Sequence, residues 1–85
     1  MFHFTKDHAN FWVQLKGSNA GKPLKEKIPN SIGIKTDADV LNADYMFYTM
    51  LYLFTTGAFK PFIKGSVVPY IRQRDITLAL INHWF

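Results

Sequence analysis

The chain contains no cysteine, which removes disulfide bridges and thiolate metal sites together. Imidazoles are few: His3, His8 and His83 lie at the two ends of the sequence. They form no His-x-x-x-His or related spacing, so no metal site and no cofactor is expected. No internal repeat or low-complexity tract is present. The longest apolar stretch, from Ala43 to Phe54, is interrupted by Asp44 and Thr49 and falls short of the roughly 20 residues that cross a bilayer. The opening residues, Met1 to Asp7, have neither the basic leader nor the apolar core of a signal peptide. The expectation is a soluble, intracellular protein of the cytoplasm with no membrane partner.

What is present is a dense set of aromatic residues. Eight Phe, four Tyr and two Trp stand in 85 residues, of which 48% are hydrophobic. Each aromatic ring can bury roughly 150 to 250 Å². That is enough to fold a single small domain, although one of this size buries only about 60% of its unfolded surface. Without staples, packing must supply the stability. One domain spanning residues 1–85 is expected.

Acids are outnumbered, with six Asp and Glu against ten Lys and Arg, for a formal charge of +4 and a pI near 9.5. This favours acidic partners and is modest for a dedicated nucleic-acid binder. The distribution says more than the total. Lys16, Lys22, Lys25, Lys27 and Lys35 occupy one twenty-residue stretch opposed only by Glu26, whereas Asp37, Asp39 and Asp44 gather after it.

Phe11 to Lys16 ends in an apolar and polar alternation rich in aromatic and β-branched types, which predicts a strand. Gly17 to Pro23 predicts an exposed loop running into Leu24. Ser31 to Thr36 predicts a second short strand, with Gly33 marking a bulge or a close backbone approach. The clearest helix runs from about Ala43 to Thr56. Asp39 or Asn42 can cap it, Asp44 suits the positive end of its dipole, and Gly57 suits a left-handed C-terminal cap. Phe47, Met50, Leu51 and Phe54 form one stripe, and Tyr45, Tyr48 and Tyr52 form its neighbour. A helix apolar almost all round belongs in the centre of the fold or against a partner. Phe59 to Lys64 reads as an extended connector, and Ser66 to Val68 as a third short strand closed by Pro69. Arg72 to His83 fits a helical face through Ile76, Ala79, Leu80 and His83, although Ile76, Leu78, Leu80 and Trp84 also satisfy a strand's period; helix is preferred. The fold class is therefore α+β: a short sheet, one buried central helix and a C-terminal helix.

Enzyme motifs do not assemble. Gly17-Ser18-Asn19-Ala20-Gly21-Lys22 has three residues between its glycines and Pro23 after its lysine, whereas a Walker loop has four and then Ser or Thr. Ser66 is the only serine in a suggestive turn, and a hydroxyl capping a local turn accounts for it. No catalytic residue is assigned. The binding candidates are Lys16, Lys22, Lys25, Lys27, Tyr70, Arg72 and Arg74. The lysines suit phosphate contact, or a solvated loop that keeps the domain soluble. Arg72 and Arg74 share a face only in extended or turn geometry, and one of them can pair with Asp75. Tyr45, Tyr48, Tyr52 and Tyr70 are the aromatics suited to an exposed rim.

The order Val40-Leu41-Asn42-Ala43-Asp44-Tyr45, a connector, and Gly65-Ser66-Val67-Val68-Pro69-Tyr70-Ile71 before Arg72-Gln73-Arg74-Asp75 resembles the distal part of target recognition domains in specificity subunits of type I restriction-modification enzymes. The resemblance implies a domain that reads DNA without performing chemistry, and no base-reading residue carries over to this sequence. Over its whole length the chain is also similar to small uncharacterised bacterial and phage proteins with comparable Asn-Ala-Gly-Lys-Pro-Leu, Pro-Asn and Gly-Ser-Val-Val-Pro arrangements. Two functions are thus expected to compete. The first is a non-enzymatic nucleic-acid-associated binding module. The second is a small phage or mobile-element inhibitor of a host nucleic-acid-processing complex, of anti-restriction or anti-CRISPR type, acting by protein contact through the apolar helix and the Trp84-Phe85 end. A homodimer through the Tyr-rich helix is compatible with both.

Overall fold

In a computed structural model that describes residues 1–37, 39 and 41–84, the strands expected at Phe11 to Lys16 and Ser31 to Thr36 form the middle of a four-stranded antiparallel sheet. The strands are β1 (Phe2–Thr5), β2 (Phe11–Gln14), β3 (Pro23–Leu24) and β4 (Ser31–Thr36), in the spatial order β1-β4-β2-β3. Pairing of Phe4 and Phe11 with Ile34, and of Val13 with Ile32, sets one face to the core. Trp12, Gln14, Ser31 and Gly33 alternate to the other face, because side chains reverse at every residue. Pro23 has no amide to donate and sits on an edge strand, where none is required. Gly33 marks a close approach and no bulge: an added Cβ would lie 2.5 Å from the Ala9 Cβ and 2.8 Å from the Thr5 carbonyl oxygen.

Helix α1 (Ala43–Thr55) lays Met46, Phe47, Met50 and Leu53 against that core face, and Phe47 meets Phe11 edge to face at 5.4 Å. Asn42 caps it, its side chain accepting the Tyr45 amide at 3.0 Å. Asp39 instead donates its amide to Asp37. At the other end the Gly57 amide donates to Phe54 and the Ala58 amide to Leu53. That pair of bonds is a Schellman closure, and Gly57 supplies the φ of 82° it needs. Only one side of α1 is buried. Tyr45, Tyr48 and Tyr52 face solvent, so the central helix closes the core with one face and leaves its tyrosine stripe open.

Helix α2 (Gln73–Trp84) resolves the ambiguous C-terminal segment as helix and buries Ile76, Ala79 and Leu80. Trp84 packs half-buried against the core. Phe85, and Val40 from the apolar pair ahead of α1, lie outside the described residues. Two expectations are corrected between the helices. Phe59 to Lys64 is not extended, since Lys60–Phe62 makes a 3₁₀ turn that Pro61 can enter without a donor. Ser66 to Val68 is not a strand but a bend with Val67 90% exposed. β-branched residues favour extended backbone, yet a strand needs a partner, and the pairing here falls on Lys64 and Tyr70. The Cα radius of gyration, 11.9 Å, matches the roughly 12 Å of a compact unit this long.

Candidate nucleic-acid interface

Beyond Gln14 the β2 chain continues to pair. Gly17 donates to Pro69 and Ile71 to Leu15, both at 2.8 Å, framing an antiparallel bridge between Lys16 and Tyr70. On its other side Tyr70 exchanges two 2.9 Å hydrogen bonds with Lys64. Directly paired residues project side chains from the same face, so Tyr70 stands in a row between two lysines. The five residues from Gly65 to Pro69 close the loop between Lys64 and Tyr70. Gly65 has φ 94°, and a Cβ there would come within 2.3 Å of the Val68 carbonyl oxygen.

The next turn holds the arginines. The Arg72 Nε donates to Asp75 Oδ2 at 2.9 Å and its Nη2 to Oδ1 at 3.2 Å, while the Arg72 amide also reaches Oδ2 at 3.3 Å. Asp75 therefore acts as the acidic half of a capping box at the start of α2. Its side chain is only 4% exposed. The hydrogen bond from Arg72 holds the Asp75 carboxyl below its ordinary range despite burial, and the same bond raises Arg72. Arg74, one turn position away, makes no ion pair or side-chain hydrogen bond among the described residues. The two arginines thus differ: Arg72 is committed to the fold, and Arg74 has no such side-chain partner among the described residues.

Lys16, Tyr70, Arg72 and Arg74 line one depression of about 490 Å³ together with Leu15 and Gln73. A second, of about 300 Å³, shares Leu15 and Gln73 and continues past Lys6, Trp12, Lys27 and Ser31. Lys27 sits with its nitrogen 5.3 Å from the Trp12 ring centre, donates to the Lys6 carbonyl at 3.1 Å and lies 3.9 Å from Asp7. Trp12 is buried yet stands apart from the main apolar cluster. The result is one basic groove with an aromatic at each end.

Five of the seven residues singled out from sequence meet along it, and two do not. Lys25 lies on the α1 side of the sheet, its nitrogen 3.9 Å from the Phe47 ring centre and 5.7 Å from that of Tyr48. Lys22 is half-buried in the turn where its amide donates to Asn19. Both lie outside the groove, because β3 turns the basic loop back at the sheet edge and separates its lysines. Lys6, which lines the second depression, and Lys64, which is bridged to Tyr70, were missed. Only the pairing of residue 64 with residue 70 across a glycine-to-proline loop could have signalled Lys64.

The DUF6943 family model, described as a family of unknown function, matches residues 3–84, nearly the whole chain. The chain belongs to that family. No curated protein and no solved structure matches it. For this DUF6943 chain, the chemistry of the groove is the basis for a functional reading: basic side chains beside the partly exposed ring of Tyr70.

Proposed function

We propose that the protein is a non-enzymatic module, working in the cytoplasm, that binds nucleic acid along the groove from Trp12 to Tyr70. The observation that carries this reading is the row Lys16, Tyr70, Lys64 with Arg74 beside it and no free acid among them. Lysine ammonium groups and the Arg74 guanidinium would contact phosphates, which set affinity and its salt dependence. Tyr70, 37% exposed, offers a ring face for a base. The expectation from sequence that Val40 to Asp75 resembles the distal part of DNA-reading recognition domains is in line with this.

The test is fluorescence anisotropy with labelled single-stranded and duplex oligonucleotides over a salt series. Lys16→Ala combined with Arg74→Ala leaves two phosphates without their cations. The pair should weaken binding and reduce the slope of log K against log salt by roughly 1.4 for a single strand. Unchanged binding would refute the reading.

A second reading, inhibition of a host nucleic-acid-processing complex by protein contact, is favoured by one feature. Val67 and Val68 are 90% and 55% exposed on the closed loop beside the groove, an apolar tip suited to a protein pocket. Retention of such a complex after nuclease treatment, and its loss with Val67→Asp, would support it over the first.

A further inference from the structure

We infer that the tyrosine face of α1 is a self-complementary docking surface for a second copy of this chain, packed antiparallel, with Tyr45 of each copy entering a cleft at the far end of the other's helix. This is independent of the nucleic-acid reading and uses the opposite side of the sheet.

Tyr45, Tyr48 and Tyr52 are 57%, 59% and 59% exposed and follow one another at i, i+3 and i+7, which is a single helical stripe. Isolated exposed aromatics are ordinary; a contiguous row of three is not explained by folding. The row leads into a cleft of about 440 Å³ between α1, α2 and the 3₁₀ turn, walled by Leu53, Ala58, Phe62 and Ala79. Tyr52 and His83 form its rim, their ring centroids 6.1 Å apart. The cleft is large enough to receive an aromatic side chain.

Helical rise places Tyr45 and Tyr52 roughly 10 Å apart, on either side of Tyr48. A twofold axis near Tyr48 therefore carries Tyr45 of one copy onto the position of Tyr52 in the other, at the cleft mouth. The contact repeats itself by symmetry, as an isologous interface requires. Charge selects this direction. Asp44, beside Tyr45, is exposed and forms no ion pair among the described residues. The opposite end carries exposed Lys60, whose side chain runs alongside Gly57, and exposed His83. Antiparallel pairing sets Asp44 against Lys60 twice, whereas parallel pairing would set Asp44 against itself. Lys25 flanks the midpoint from its place over Phe47 and remains at the solvated rim.

Sedimentation velocity with light scattering, at concentrations from about 1 μM to 1 mM, a span covering weak to moderate affinities, tests the inference. The wild-type mass should rise from one chain to two. Tyr48→Arg, which places like charges on the twofold axis, should weaken association at least about tenfold, or 1.4 kcal/mol, with an unchanged circular dichroism spectrum and melting temperature. Asp44→Lys should also weaken it. Combining Asp44→Lys with Lys60→Glu should restore it. A wild-type protein that stays monomeric throughout, a Tyr48→Arg protein that dimerises undiminished, or an Asp44→Lys/Lys60→Glu double variant that fails to recover would each overturn the inference.

Discussion

Arg72 grips Asp75 with two guanidinium bonds and its own backbone amide, so one buried carboxylate both starts helix α2 and anchors the arginine beside the groove. Asp75→Asn keeps the shape and removes the charge. It should destabilise the fold by about 1 kcal/mol, the net scale of a hydrogen bond whose charged acceptor is neutralised. The pH dependence gives the sharper check. The Asp75 pKa is lowered in the folded state, so the unfolded chain binds the proton more readily, and the contribution is fully present above the ordinary carboxylate value near 3.9. It disappears as pH falls through that value and on through the folded pKa. Urea midpoints of wild type and Asp75→Asn should therefore differ at pH 7 and converge toward pH 2. A constant gap across that range would show that the ion pair is not the source.

Gly65 tests the closed loop. Its positive φ and the Val68 oxygen facing the absent Cβ leave no room for a side chain, so Gly65→Ala should cost about 1 to 3 kcal/mol. Val67→Ser removes an exposed side chain from the same loop and should stay within about 0.5 kcal/mol. Chemical denaturation of the pair separates a backbone requirement from an apolar one; equal losses would contradict the geometry.

Residue pattern made β2, β4 and α1 legible, because each buries a face large enough to mark the sequence, whereas the α2 segment fitted a helical and a strand period alike. Gly57 and Asn42 were legible as caps for the same local reason. β1 was not, since Phe2–Thr5 holds only two core-facing residues and gains its strand geometry from β4. β3 is two residues long and exists only through pairing. Val67-Val68 misled in the opposite sense: strand-forming residues without a partner remain a bend. The groove followed the same division. Arg72 with Asp75 is local and could be anticipated, whereas Lys64 beside Tyr70 beside Lys16 joins three segments and depends on tertiary register.

Gly33 offers a test of that register. It pairs with Thr5 on one side and Trp12 on the other, with Ala9 crossing over it. Gly33→Ala drives a methyl into the Ala9 side chain and the Thr5 carbonyl, and about 1 to 3 kcal/mol of overpacking is expected. Amide hydrogen exchange should accelerate first in Phe2–Thr5, the strand displaced. Uniform acceleration over the whole sheet would instead mean that β1 does not yield separately.

Tyr70 and Lys64 are adjacent but should fail differently if nucleic acid occupies the groove. A stacked ring contributes affinity that is insensitive to salt, on the order of 1 to 3 kcal/mol per base. A lysine on phosphate contributes through released counterions. Tyr70→Phe keeps the ring and should bind as wild type; Tyr70→Ala should lose roughly 5- to 150-fold, the equivalent of that range, at every salt concentration with the slope unchanged. Lys64→Ala should weaken binding most at low salt and flatten the slope by roughly 0.7 on a single strand. Parallel losses in Tyr70→Ala and Lys64→Ala, with both slopes altered alike, would mean that disruption of the 64–70 bridge and not contact with the ligand is being measured. A melting temperature held constant in Lys64→Ala then distinguishes the two, because its bridge to Tyr70 is made by backbone groups that the substitution leaves in place.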